Sequence, residues 1–223
     1  MIAALILAGG GSGRMGEPKA LLPFPDVPLV AAQWLALRSA GLDPLRIVVG
    51  RDALRVVAGS GLARENFVRN RARLSAPFSS LQIGLEALLA AEEWPAVVVQ
   101  PVDAVPPHPV LVAALAERFL EGGVHAVIPA HRGRGGHPVM LSREFAEEAV
   151  RLYPRKARLD ELLHRLEAAG AADRVEAYDP LVLANLNDRA AYRRALRSIA
   201  PGAAARRAGA GRARPRRRGR RRT

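Results

Sequence analysis

The chain has 223 residues, enough for one domain with a sizeable core, and hydrophobic side chains make up 49% of it, as in a globular protein. There is no cysteine, which excludes disulfides, thiolate metal sites and cysteine nucleophiles. The formal charge of +13 belongs to the end of the chain: residues 201–223 hold ten arginines and no acid, and without them 24 basic side chains face 21 acidic ones, so a strongly basic fold is excluded too.

Residues 2–7 are an unbroken apolar run and predict a first strand buried on both faces. The run meets glycine too soon to span a membrane or to act as a cleavable leader, and a cytoplasmic protein is expected. Leu7-Ala-Gly-Gly-Gly-Ser-Gly-Arg-Met-Gly-Glu-Pro-Lys19 follows. Four glycines in five positions (Gly9, Gly10, Gly11, Gly13) let the backbone turn tightly and bring its N–H groups to an anion. Arg14 and Lys19 add a planar cationic fork and a point charge, and Ser12 adds a hydroxyl. Strand, glycine turn and paired cations suit a nucleoside triphosphate. Two familiar phosphate loops do not fit. Lys19 lies between Pro18 and Ala20 rather than in Gly-Lys-Ser/Thr, and Arg14 stands where a dinucleotide fingerprint needs its third glycine. The plain alternative is a flexible glycine-rich surface turn.

Residues 29–40 have helical apolar spacing stopped by Gly41, and 46–49 predict a second strand. A short helix over 53–60 and a short strand over 66–69 come next. Residues 79–91 predict an amphipathic helix capped at its start by serine. Val97-Val-Val within 96–100 has no alternation, as in a strand buried on both faces. The remaining pattern predicts a helix over 109–120, a strand over 126–129, a strand over 139–141 that pairs either within the sheet, as its one antiparallel member, or with a neighbour, helices over 143–151 and 159–168, a last strand over 174–177 and a closing helix over 188–197. No internal repeat is present. These elements make one three-layer α/β/α domain around a mostly parallel sheet over residues 1–198, followed by a disordered Arg-rich tail over 199–223. In such sheets ligands lie beyond the carboxyl ends of the strands, which brings the loop at 8–19 and the turn at 101–103 to one edge. Asp103, directly beyond a buried strand, is therefore a candidate metal ligand, with a turn or helix cap as its alternative role.

The motif at residues 7–23 (Leu-Ala-Gly-Gly-x-Ser-x-Arg-Met-Gly-x-Pro-Lys-x-Leu-Leu-Pro) is followed in order by Ser79-Ser80-Leu81-x-x-Gly84-Leu85, Pro101-Val-Asp103, Gly136-His-Pro-Val139 and Asn185-Leu-Asn187. This series resembles the nucleotidyltransferases that include the molybdenum-cofactor guanylyl- and cytidylyltransferases, over residues 1 to about 198. The resemblance implies a Rossmann-like nucleotidyltransferase fold and a Mg2+-dependent enzyme. Such an enzyme moves a nucleoside monophosphate from an NTP (CTP or GTP) to an anionic phosphorylated acceptor, molybdopterin among the candidates, and releases pyrophosphate. It assigns catalytic roles to Arg14, Lys19 and Asp103. It assigns nucleotide contacts to Leu7, Ala8, Gly9, Gly10, Gly11, Ser12, Gly13, Arg14, Lys19, Ser79 and Ser80; the upstream residues Asn70 to Arg73 are further candidates to approach the nucleotide. Metal ligation falls on Asp103 and on Asn187, ahead of Asn185 and Asp188, although an N-cap for the closing helix competes for that asparagine.

Acceptor contact falls on Gly136, His137 and Pro138, with a purely structural histidine as the alternative, and Arg132 and Arg134 make that loop basic, which suits an anion. Two departures matter. Asp103-Ala-Val-Pro106 carries one residue more than the family's Asp-x-Pro, which puts the local turn in question. Leu-Ala-Gly-Gly follows the guanylyl branch, whereas Met15-Gly-x-Pro18-Lys19 and Gly136-His-Pro follow the cytidylyl branch, so the base stays open with the cytidylyl reading in front. A sugar phosphate or small alcohol phosphate is the alternative acceptor. A different class of function is nucleic-acid binding through the tail, which is otherwise a solvated extension.

Overall fold

The run Val97-Val-Val forms the middle of β6 (Ala96–Pro101), which is buried at five of its six positions. Its neighbour β1 (Ala3–Ala8) runs parallel to it, with Ala3 opposite Val97 and Leu7 opposite Pro101. The computed structural model describes residues 1–10, 17–71, 77–91 and 93–199. Beyond β1 lie β4 (Leu45–Val49) and β5 (Phe67–Arg69), both parallel. On the other side β9 (Val139–Ser142) runs antiparallel between β6 and β7 (Ala126–His131), and β10 (Ala172–Glu176) closes the sheet parallel to β7. The order is β10-β7-β9-β6-β1-β4-β5, with the two-residue β8 (Arg134–Gly135) folded back on β7.

Side chains alternate across a strand, so one run feeds two cores. Ala4 and Ile6 of β1 face a cluster with Val30 and Leu37 of α1 (Leu29–Ser39), Val56 of α2 (Ala53–Gly59) and Val112 and Leu115 of α4 (Pro109–Leu120). Ala3 and Leu5 face the opposite cluster, with Leu81, Leu85 and Leu88 of α3 (Pro77–Leu89) and Phe145 and Ala146 of α5 (Arg143–Ala149). The partly buried Leu159, Leu162, Leu163 and Leu166 of α6 (Leu159–Ala168) pack against that second cluster. The result is helix, sheet and helix in three layers, a Rossmann-like α/β arrangement as expected.

A third, smaller cluster positions the site. Phe24 of the hairpin β2 (Pro23–Phe24) and β3 (Val27–Pro28), Leu29, Leu186 and Ala195 of α7 (Arg189–Ile199) bury one another. The Tyr192 hydroxyl donates to the Pro23 carbonyl and ties α7 to the hairpin.

Several boundaries differ from the sequence expectation for identifiable reasons. The helix expected over 79–91 begins at Pro77, a residue suited to a first helical turn. Ser79 and Ser80 therefore lie inside that turn, and Ser79 is not its cap. The last strand starts at Ala172 rather than 174, because Gly170 at φ +68° ends α6 and the Ala171 N–H returns to the Leu166 carbonyl. The tail expected beyond residue 198 lies outside the described residues apart from Ile199, which continues α7.

Candidate active site

Hydrogen bonding between the ends of β1 and β6 builds the base of the site. The Val102 N–H donates to the Leu7 carbonyl at 3.0 Å, so the start of the glycine loop and the Asp103 turn lie side by side. Gly9 then passes over the first turn of α3. A Cβ on it would stand 2.4 Å from Ser80 Oγ, so a larger residue would have to displace that hydroxyl. Both serine hydroxyls accept from Asn70 Nδ2 at 3.1 Å, which fixes that turn against the end of β5. Gly11, Ser12, Gly13, Arg14 and Arg73 lie outside the described residues.

Lys19 opens a 3-10 turn (Lys19–Leu21) and sends its ammonium across the site. Nζ donates to Asp103 Oδ2 at 3.3 Å and to Asn187 Oδ1 at 2.5 Å. These partners are 84 and 168 residues away in the chain. The Leu186 N–H, donating to the Asp103 carbonyl at 2.6 Å, and a bridge between Ala104 and Asn185 hold the two oxygen-bearing segments together. The competing cap roles go elsewhere. Asp188 Oδ1 accepts from the Ala191 N–H at the start of α7, and His108 Nδ1 accepts from Val110 N–H at the start of α4. Asn187 and Asp103 cap neither helix. In this turn Ala104 makes the bridge to Asn185, and Asp103 stands directly beyond β6.

Two residues not singled out in the sequence hold this turn. Gln33 of α1, fully buried, donates from Nε2 to the carbonyls of Pro101 at 3.0 Å and Ala104 at 2.7 Å. Gln100, also fully buried, donates to the carbonyls of Pro101 at 3.3 Å and Val105 at 3.2 Å. Their Oε1 atoms are buried without partners, a cost accepted so that both amides can point their N–H groups at the turn. A polar residue inside the apolar run of α1 was the available signal for Gln33. Asp52, at the start of α2, is a third unanticipated neighbour. It lines a cavity of about 100 Å3 together with Leu7, Ala8, Gly10, Lys19 and Asp103.

The ammonium of Lys19 tests whether a cation fits. One charged and one neutral oxygen converge on a single positive centre, the donor chemistry that magnesium prefers. Among the described residues no group of three or more His, Asp or Glu side chains gathers, so a metal here would complete its shell with phosphate and water oxygens.

His137 follows β8 and lies near enough for the Asp103 charge to raise its pKa, but burial dominates and holds the imidazole below its ordinary value. Gly136 makes this approach possible. A Cβ there would lie 2.3 Å from the Val182 carbonyl, which accepts the His137 N–H at 2.9 Å. Pro138 is buried beside it. Arg132 and Arg134, by contrast, are exposed on the β7–β8 turn, where the Arg132 N–H donates to Glu176 Oε1 at 3.0 Å.

A doubly wound sheet with a glycine loop, a lysine and an oxygen pair at one strand edge defines an enzyme that handles nucleoside triphosphates. Residues 4–169 match the MobA-like NTP transferase domain, and the chain belongs to that family of nucleotidyltransferases. It is similar to Rv0371c from Mycobacterium tuberculosis H37Rv at 25% identity and a TM-score of 0.72, covering 89% of this chain and 100% of that one. A nucleotidyl transferase from Methanothermobacter (Mth528) is similar at 26% identity and a TM-score of 0.71, covering 88% and 96%. The fold, at 14% identity and a TM-score of 0.71, extends to a putative glucose-1-phosphate thymidylyltransferase from Bacillus anthracis, covering 88% and 94%. No curated protein matches the sequence. No helix among the described residues is long and apolar enough to cross a membrane.

Proposed function

We propose that this nucleotidyltransferase is magnesium-dependent and transfers CMP or GMP from its triphosphate to an anionic, phosphorylated small molecule, with molybdopterin the first acceptor to try and CTP the first donor. The observation that carries the proposal is the convergence of Asp103 Oδ2 and Asn187 Oδ1 on one cation beside the glycine loop. The structure of Rv0371c in complex with manganese is a supporting parallel from a protein of the same fold.

In this reading an acceptor phosphate oxygen bonds to the α-phosphorus while the bond from that phosphorus to the bridging oxygen breaks and pyrophosphate leaves. Magnesium held by Asp103 and Asn187 supplies charge neutralisation on the phosphate oxygens. Gly9 and Gly10 offer backbone N–H groups to the triphosphate, and Arg14 and Lys19 grip its outer phosphates. Lys19 leaves its carboxylate partner for a phosphate oxygen as the nucleotide enters, so its charge is in place when pyrophosphate departs. Ser79 and Ser80, fixed by Asn70, border the nucleoside end. Gly136, His137 and Pro138 face the acceptor. The cytoplasm, where triphosphates and free magnesium are supplied, is the compartment that suits this chemistry.

Pyrophosphate release from each of the four triphosphates, with magnesium and molybdopterin, tests the proposal. Release with CTP alone supports the cytidylyl branch and release with GTP alone the guanylyl branch. Silence with all four removes molybdopterin as the acceptor, and a sugar-phosphate screen then follows.

A further inference from the structure

A second cavity adjoins the transfer site and differs from it in chemistry. Its volume is about 570 Å3, the size of a small-molecule site. Phe24, Val105, Leu111, Ala114, Leu181 and Val182 supply apolar wall. His137 also lines it, and Nδ1 of that ring is buried with no hydrogen-bond partner. Glu176 and Asp179 are its acids, and among the described residues no lysine or arginine lines it. Phe24 and Val105 of its wall pack with Leu186, whose N–H donates to the Asp103 carbonyl, so the cavity lies next to the Lys19–Asp103–Asn187 cluster.

This lining decides what can enter. Each sugar hydroxyl buried here without a partner would cost about 1–3 kcal/mol, and the walls offer few partners. A phosphate would face two carboxylates and no cation. Apolar surface, in contrast, gains about 25 cal/mol for each Å2 removed from water. We propose that this cavity takes the non-phosphorylated body of the acceptor, and that this body is a neutral, mainly aromatic or hydrocarbon group packed against the apolar wall. The acceptor phosphate then points out of the cavity towards Lys19. The inference rests on the transferase reading, and it places aromatic or hydrocarbon phosphates ahead of molybdopterin, whose pterin ring carries several hydrogen-bonding groups. It also reassigns the acceptor's recognition from the exposed Arg132 and Arg134 to the apolar wall.

The test uses the full-length protein and N-phenyl-1-naphthylamine, a neutral aromatic fluorophore. Saturable one-to-one binding is expected, weakened about tenfold or more by Ala114→Phe, which fills the cavity (about 1.4 kcal/mol per tenfold). Tyr178→Ala, at a side chain that is 96% exposed and so removable without unfolding the chain, provides a second variant and should also weaken binding. 1-Naphthyl phosphate should displace the fluorophore and glucose 1-phosphate should not. Absence of binding, equal binding by wild type and both variants, or equal displacement by glucose 1-phosphate overturns the inference. Metal-dependent CTP and GTP binding is measured on the same samples. Its loss in the wild type would count against the transferase reading, whereas its retention without fluorophore binding would count against the apolar cavity alone.

Discussion

Replacing Gln33 by leucine separates the stability of the fold from the placement of Asp103. The substitution removes the donors to Pro101 and Ala104, spaced at 3.0 and 2.7 Å. Gln100 still donates to the Pro101 carbonyl, so the main loss falls on Ala104. A buried carbonyl deprived of its donor costs about 1–3 kcal/mol. The variant also removes the Gln33 Oε1 atom, which is buried without a partner and carries a penalty of similar size. The two effects offset, and the net change in global stability is expected to stay within about 1 kcal/mol, or about 2–4 °C in Tm. The turn itself loses a clamp on the residue next to Asp103. A displacement on the order of 1 Å at a reacting centre costs about a hundredfold. The assay is a magnesium titration of CTP and GTP binding, run beside thermal denaturation. A rise of roughly 10- to 100-fold in the magnesium needed for half-maximal binding, at nearly unchanged Tm, is the expected result. An unchanged magnesium requirement would refute the positioning argument. A collapse in Tm would refute the offset.

Lys19→Met removes the ammonium that is to grip the outer phosphates as pyrophosphate departs and should lower kcat/KM by about 10²–10³-fold, read by pyrophosphate release. Under the proposed function Asn187→Ala would remove a neutral ligand and Asp103→Ala a charged one, so the magnesium requirement should rise in both and further in the second. Gly136→Ala drives a methyl into the Val182 carbonyl and should cost about 1–3 kcal/mol, seen as a lower midpoint in urea. His137 gives a pH signature of definite sign. Burial lowers its folded pKa below 6.5, so the unfolded chain takes the proton first. Stability is therefore full above the unfolded value and falls as pH drops below it. Denaturation at pH 7.5 and 5.5 should show a smaller difference for His137→Gln than for wild type, and an equal difference would contradict this assignment.

Much of this was legible in the chain because it depends on local pattern. Val97-Val-Val announced a strand buried on both faces, and Asp103 followed from its place beyond that strand. The strand near 139–141 was also read, and of the two pairings left open for it the structure takes the antiparallel one within the sheet, at Val139–Ser142. What the pattern missed depends on contacts between distant segments. The hairpin of Pro23–Phe24 and Val27–Pro28 is two residues long on each side, too short to show alternation. Lys19 and Asn187 meet across 168 positions through the Leu186–Asp103 hydrogen bond, the Ala104–Asn185 bridge and the packing of α7 on that hairpin. The cap assignments near Asn187 and Asp103 were undecidable from composition, since Asp188 and His108 are equally able to accept a backbone N–H. Which way Arg132 and Arg134 face was not legible either, because a basic loop in sequence does not fix the direction of its side chains; both are exposed.

The central claim is that Asp103 and Asn187 form the cation site on which nucleotide binding depends. Equilibrium titration of CTP and GTP into full-length protein, with and without magnesium, for wild type and Asp103→Asn, tests it most directly. The account predicts saturable binding that needs magnesium in the wild type and is lost in Asp103→Asn. Binding of equal strength without magnesium, or unaltered in the variant, would contradict it.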